Sequence, residues 1–369
     1  MNRFTSQKFR FFSFIAIAML VFVHGYNLNE NYLRPFSAVT EKMTFTTWLE
    51  YFLANGLLRF RIPILFIISG YIFALQDQKP YGQRIVKRFR SLLIPFLIWS
   101  ALALAFTFLL QQFSFTAKLV ANAGIDQLGD NRPYTEVGWQ GILTRWVFAP
   151  PAFQLWFIRV LFIYNLLYPG FRWLVTRFTI PWCIICFALF FLAFNYMYLA
   201  EGQGILFFSL GIWLQKSNFP LERPPRWFSL PLAWLFFVGC SVIKTFMAFE
   251  LEPYAEISLW TLNILYVSSI IAGIMAAWYG LDAVVRWCMN RKWFVRSASY
   301  SFFIYAMHVP LLSYLTQYFF YLFSDFQYHR LLIYFLAPLC TLSLCFLCGF
   351  IIKRTMPSVY KLITGGRGF

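Results

Sequence analysis

Ten apolar runs divide this chain: Phe11 to Tyr26, Ile62 to Leu75, Leu92 to Leu110, Phe153 to Tyr168, Ile180 to Leu199, Gly204 to Leu214, Phe228 to Phe249, Ile257 to Leu281, Ala298 to Leu322 and Leu331 to Ile352. A hydrocarbon core of about 30 Å needs roughly 20 helical residues, and most of the runs approach that length. The second and sixth are short and must borrow flanking residues or lie against neighbours. Lipid offers no partner to a bare amide, so each run is expected to be a helix. Only 12% of the 369 residues are charged against 60% hydrophobic, too few to clothe a water-facing surface. The expected fold is therefore all-α and polytopic, with about ten transmembrane helices. No repeat or low-complexity linker interrupts it, which predicts a single domain over 1–369 in a cell (inner or plasma) membrane. The first run is followed by His24, Gly25, Tyr26 and Asn27 rather than by a small-residue cleavage site, so no cleavable signal is expected.

The net charge of +17 would suggest nucleic acid in a soluble protein, but here the basic residues cluster between apolar runs. With the N-terminus inside, the cytoplasmic segments hold 21 of the 31 basic residues and only three of the 14 acidic ones, Asp77, Glu222 and Asp282. That asymmetry is what the positive-inside rule demands of ten spans with both termini cytoplasmic. It leaves no call for a nucleic-acid partner. The seven cysteines lie mostly inside apolar runs, and the pairs Cys183/Cys186 and Cys345/Cys348 have neither an exposed loop nor nearby histidines. Neither a disulfide framework nor a metal site is expected.

Ionisable side chains at depth cost about 3 kcal/mol each on insertion scales, so each is a candidate for function. Two of the three histidines lie inside spans. His24 follows Arg10 by 14 residues and His308 follows Arg296 by 12, which puts the two imidazoles about 21 and 18 Å from those inner anchors, in the outer half. Arg10, Ser13 and His24 fall on one helical stripe. An imidazole in a low-dielectric bundle has its charged form penalised, so it is expected neutral and able to accept a proton, as a general base must. A histidine merely hydrogen-bonded to a neighbouring helix is the plainer alternative, and it weighs more for His308. Arg159 interrupts the fourth run with no acidic residue nearby, Arg59 and Arg61 enter the second, and Lys244 interrupts the seventh. The Lys244 stem is long enough to carry its ammonium to the outer surface beside Glu250 and Glu252. Arg84, Lys87, Arg88 and Arg90 form a cationic edge suited to a polyphosphate, although topology also demands positive charge there. The outer stretch from Gln111 to Pro151 suits a lid with Trp139 and Trp146 stacking on sugar rings, or a place for both tryptophans in the interfacial aromatic belt. The terminal TGGRGF follows no strand and opens no helix, so it is no phosphate loop.

Four segments in order, FSFIAIAMLVFVHGYN, RIPILFIISGYIF with KRFRSLLIPFLIW, QLWFIRVLFIYNLLYP and SASYSFFIYAMHVPLL, resemble the integral-membrane acyltransferase 3 family. GILFFSLGIWLQK is similar to that family's short glycine-containing span, and the resemblance covers essentially the whole chain. It implies transfer of an acyl group, commonly acetyl from acetyl-CoA, to a hydroxyl of an extracytoplasmic carbohydrate or cell-envelope glycan, without a metal. It gives His24 the role of the family's essential histidine. Where the family has Arg or Lys eleven residues before that histidine this chain has Ser13, and Arg10, one turn earlier on the same face, is the substitute. In this reading Arg159 contacts the oxyanion or the acyl donor, Arg61 supports it, and CoA phosphates rest on Arg84, Lys87, Arg88 and Arg90. The competing expectation is a membrane carrier or exporter of a glycan or small anion, with the histidines as proton relays.

Overall fold

A computed structural model of the chain describes residues 1–28, 34, 36–130, 132–196, 199–253 and 255–368. About 75% of it is helical. In chain order the helices begin with α1 (Arg3–His24), α2 (Phe45–Tyr51), α3 (Arg61–Ala74), α4 (Tyr81–Arg88), α5 (Ile94–Gln111), α6 (Ser114–Ala123) and α7 (Gly138–Val147). Then come α8 (Trp156–Leu166), α9 (Tyr168–Arg177), α10 (Thr179–Phe191), α11 (Gly202–Lys216), α12 (Leu230–Glu250) and α13 (Glu256–Gly280). The last are α14 (Asp282–Met289), α15 (Lys292–Ala298), α16 (Ser301–Leu322), α17 (His329–Thr355) and α18 (Pro357–Ile363). Two single π-helical turns, Phe52–Leu57 and Phe89–Leu93, precede α3 and α5. The only strands among the described residues form a two-residue hairpin, Asn195–Tyr196 with Ala200–Glu201.

Every expected apolar run contains a helix. Among the described residues six helical stretches are long and apolar enough to cross a membrane: Arg3–His24, Phe45–Ala74, Tyr81–Gln111, Leu230–Glu250, Glu256–Gly280 and His329–Thr355. The chain is a multi-pass membrane protein. The second run is short because only the latter half of the stretch Phe45–Ala74 is apolar throughout; α2 and the π turn extend the run backwards through residues broken by polar side chains. The fifth run stops being helical at Phe191, and its positions 197 and 198 lie outside the described residues, as does 131 in the expected outer lid.

The residues group into two compact units. The first joins Met1–Arg84 to Ile163–Ala298. In it α3 and α11 run backbone to backbone: a Cβ at Gly70 would fall 2.2 Å from the Phe208 carbonyl oxygen, and one at Gly211 2.2 Å from that of Ile67. Small residues permit the approach where lipid supplies no hydrophobic drive between helices. Helix α1 buries Thr5, Lys8, Phe9, Phe12, Ala16 and Leu20, a stripe at three- and four-residue steps. Phe12 stacks on Trp278, and Phe9 meets Tyr71 edge-on at 5.3 Å. Lys8 is fully buried within that stripe, held by Asp282 at 2.5 Å and lying 4.8 Å from the Trp278 ring. Asn2 caps α1 by accepting from the Thr5 amide.

The second unit joins Ile85–Phe162 to Ser299–Phe369, described to 368. Here α16 packs along α17, with α5 and α6 against α16 and α18 against α5. Thr107 and Tyr314 share a hydroxyl hydrogen bond of 2.8 Å between α5 and α16. Helix α16 breaks at Val309, ahead of Pro310, which has no N–H to donate. The break leaves carbonyls without helical amide partners. Gln154 meets them, its Nε2 lying 3.3, 3.1 and 3.2 Å from the carbonyl oxygens of Tyr305, Ala306 and Val309.

Candidate active site

The first unit holds Arg10, Ser13, His24, Arg61 and Arg84. Helix α1 is unbroken from Arg3, so the rise from Arg10 to the half-buried His24 stays that of a regular helix. His24 is its last residue; beyond it the Asn27 amide donates to Glu50 Oε2 at 3.1 Å, pinning the chain that leaves the histidine to the fully buried Glu50 on α2. Arg10 is exposed at the other end and donates from Nη2 to the Val295 carbonyl at 2.7 Å, on the last turns of α15 where carbonyls face a cation favourably. Ser13 is half-buried between them.

The Phe9–Tyr71 contact sets the level of α1 against α3. His24 lies 15 residues beyond Phe9, and Arg61 lies 10 residues before Tyr71, so His24 rises about 22 Å and Arg61 about 15 Å from that common level in antiparallel helices. Arg61 and His24 thus share one end of the unit, separated along the axis by only about 7 Å. Arg61 is buried, and its Nη1 donates to the Leu58 carbonyl at 2.9 Å.

Other polar groups line the same end of this unit. Lys244 is fully buried, with its ammonium on the Asn55 carbonyl and 5.1 Å from the Tyr266 ring. This corrects the expectation that its stem reaches the outer surface: the π turn Phe52–Leu57 aims the Asn55 carbonyl into the interior and supplies a partner there. Arg59 donates to the Asn55 side chain, and Tyr266 donates to Gln203 at 2.8 Å. Glu50 and Asn55 escape a sequence reading because both precede the apolar run and look like loop residues.

At its other end this unit is built around Asp77. That carboxylate accepts from Arg84 at 2.8 Å and from Tyr168 at 2.7 Å, with Lys216 and Arg172 beside it. Burial alone would raise the Asp77 carboxyl, but the hydrogen bonds from Lys216 and Tyr168 and the charges of Lys216 and Arg172 outweigh it and hold it below its usual range. Arg84 is buried, also donates to the Phe73 carbonyl, and lies over the Phe73 and Tyr168 rings at 4.1 and 4.7 Å. Its guanidinium is engaged within the fold.

The second unit holds Lys87, Arg88, Arg90, Arg159 and His308. Arg159 Nη1 donates to the Val147 and Phe148 carbonyls at 3.1 and 2.7 Å. The partner absent from its sequence neighbourhood is thus the carboxyl end of α7, where orphan carbonyls and the helix dipole receive a cation. His308 is fully buried, with Nδ1 3.1 and 2.9 Å from the Ile304 and Tyr305 carbonyls. A carbonyl only accepts, so Nδ1 carries a proton. Gln154, 1% exposed, was not singled out from sequence; Pro310 within an apolar run was the signal, since the carbonyls it frees require a donor. Lys87 and Arg90 are exposed and Arg88 half-buried where α4 runs into the π turn Phe89–Leu93.

The stretch from Gln111 to Pro151 folds as α6 and α7, and a cavity of about 170 Å³ lies between α5, α6 and the segment that follows α6, lined by Thr107, Gln111, Asp126, Asp130, Arg132 and Tyr134 among others. Arg145, 2% exposed, bridges Asp126 at 2.7 Å and Asp130 at 3.2 Å. Hydrogen bonds from Arg132 hold the Asp130 carboxyl well below the usual range. Trp146 donates to the Leu97 carbonyl at 2.8 Å, whereas Trp139 stands exposed. Among the described residues no three His, Cys, Asp or Glu side chains converge.

Comparison with known proteins adds to this geometry. The profile of a family described as "Acyltransferase domain" matches residues 7–350. The chain is 27% identical over 375 residues to the succinoglycan biosynthesis protein ExoH of Rhizobium meliloti (strain 1021), covering all of this chain and 94% of that protein. No solved structure matches the chain.

Proposed function

Given that the chain belongs to the acyltransferase 3 family, matched from residue 7 to residue 350, we propose that it moves an acyl group, commonly acetyl, from acyl-CoA to a hydroxyl of an extracytoplasmic carbohydrate. The observation that carries this is the family match across the helix bearing His24. The relative is named for succinoglycan biosynthesis, and by that likeness the acceptor here is a polysaccharide or its precursor.

His24 is the general base in this reading. It takes the proton of the acceptor hydroxyl as the oxygen attacks the thioester carbonyl; collapse of the tetrahedral intermediate breaks the C–S bond, and the proton leaves on the CoA thiol. A cation stabilises the oxyanion. Arg61 suits the support of that charge, because it lies at the His24 end of α3 and its backbone is fixed at a helix start. Arg159 is assigned to the acyl donor or oxyanion, and His308, with Nδ1 committed, to an orienting role through Nε2. Lys87, Arg88 and Arg90 receive the CoA phosphates; Arg84, tied to Asp77, fixes the root of that edge. Arg10 and Ser13 continue the polar stripe of α1 toward the donor. The ten-helix count follows if α8, α10, α11 and α16 span beside the six long stretches, with both termini cytoplasmic and the two units acting as one domain in the inner or plasma membrane.

Purified protein in lipid nanodiscs, supplied with radiolabelled acetyl-CoA and envelope glycans, tests this. His24→Ala should lower label transfer by about 10²-fold or more, the usual contribution of a general base, with thermal stability retained. Equal transfer by the variant and the wild type would refute the assignment.

A further inference from the structure

Three cations converge on Asp77, just past an apolar stretch long enough to cross a membrane. The carboxylate follows Ala74, where the stretch Phe45–Ala74 ends, and Lys216 is the last residue of α11, the helix seamed to α3. Arg84 Nη1 meets Oδ1 at 2.8 Å, while Arg172 Nε, at 3.4 Å, and the Lys216 ammonium both meet Oδ2. Tyr168 adds a neutral donor 2.7 Å from Oδ1. One negative charge is thus shared by three positive ones, and among the described residues no other carboxylate lies within 4 Å of any of the three. Topology asks for positive charge at a membrane edge but not for its convergence on a single acid.

The three cations differ in what they still have to donate. Arg84, with a side chain 4% exposed, commits Nη2 to the Phe73 carbonyl and forms the floor of the cluster. Arg172 meets Asp77 through Nε, so neither of its Nη groups is hydrogen-bonded to a described residue, and two of the three Lys216 protons are equally uncommitted. Both side chains reach the surface, at 53% and 24% exposure. Because they share one oxygen of Asp77, a single phosphate group with two free oxygens can accept from both. The flank is apolar. Leu167 and Trp173, before and after Arg172 in sequence, are strongly exposed, and Trp173 meets Phe178 edge-on at 5.1 Å. A soluble anion gains nothing from these side chains, whereas a lipid sets its phosphate on the cations and its glycerol end on the apolar flank, at the level that tryptophan favours.

We propose that Arg172 and Lys216, held together by Asp77, form a headgroup site for an anionic phospholipid. Arg84 fixes Asp77 from behind and does not touch the lipid. The site stands independently of the acyl-transfer reading.

Native mass spectrometry of the full chain in neutral detergent, titrated with phosphatidylglycerol or phosphatidylcholine, tests this. Wild type should bind phosphatidylglycerol the more tightly. Arg172→Gln and Lys216→Gln should each weaken it about fivefold, the loss of one basic contact to an anionic lipid, and leave phosphatidylcholine unchanged. Arg177→Gln, which removes an exposed cation further along α9, controls for diffuse surface charge. Equal affinity of wild type for the two lipids, or a loss in Arg177→Gln as large as in Arg172→Gln, would overturn the site. CoA is added as a soluble phosphate ester. If it displaces phosphatidylglycerol from wild type, and Arg172→Gln weakens CoA to the same degree, the anion is a soluble one and the lipid site is refuted. Should Lys216→Gln fail to fold, Arg172→Gln, at an exposed position, decides alone.

Discussion

Asp77→Asn tests the claim that one carboxylate fastens the basic end of the first unit. The substitution keeps the shape and removes the charge. Arg84, whose side chain is 4% exposed, is then left as a buried guanidinium without an anion. Breaking a buried pair from one side costs about 3–5 kcal/mol. Arg172, with a side chain 53% exposed, adds little, because water screens its pair. The lower bound of about 3 kcal/mol corresponds to a midpoint lowered by about 6–12 °C in a domain of 150–250 residues, the size of this unit. Thermal unfolding in detergent, followed by tryptophan fluorescence, reads it. The sign with pH follows from a carboxyl held below its usual value of about 3.9. Its contribution is fully present above about pH 4 and is lost as pH falls through the folded-state value, so wild type and variant should converge only in that acidic range. The double variant Asp77→Asn/Arg84→Met should recover much of the loss, because the orphaned charge is gone. A single variant melting within about 1 °C of wild type at pH 7 would refute the reasoning.

Two further predictions concern packing and hydrogen bonding. Gly70→Ala and Gly211→Ala each drive a methyl into a main-chain carbonyl across the α3–α11 seam, and neither neighbour can rotate away. Either should lower the melting midpoint strongly, whereas Gly239→Ala, which meets nothing within 4 Å, should behave as wild type in the same size-exclusion and melting assays. Gln154→Leu strips the donors from the broken turn of α16 and should cost about 1–3 kcal/mol for the carbonyls left unmet, measured by the same unfolding experiment; a neutral outcome would mean that other groups satisfy them.

The helices were legible because the apolar runs are long and their ends are marked by charge; α12, α13 and α17 begin and end within a few residues of the expected positions. The beginning of the second span was not, since Phe45 to Phe60 mixes apolar residues with Glu50, Asn55 and Arg59; Glu50 is met by the Asn27 amide from beyond the first helix, and Arg59 by the Asn55 side chain within the stretch itself. Lys244 was misplaced for the same reason: chain spacing offered Glu250 and Glu252, whereas the partner is the main-chain oxygen of Asn55, 189 residues away. His24, Arg61, Arg159 and His308 stood out as ionisable groups in apolar surroundings. The carbonyl ends that receive Arg10 and Arg159 could not be read, because a helix terminus carries its charge in the backbone and leaves no mark in side-chain type.

The interruption in α16 separates two mechanical roles. His308 is bolted through Nδ1 to the turn that precedes the joint, and Gln154 rivets that same turn to the short helix bearing Arg159. A swivel at Val309 would swing Pro310 through Leu322 and leave the imidazole's bearing unaltered. Movement of the helix beyond the joint is thereby uncoupled from the aim of the ring that precedes it.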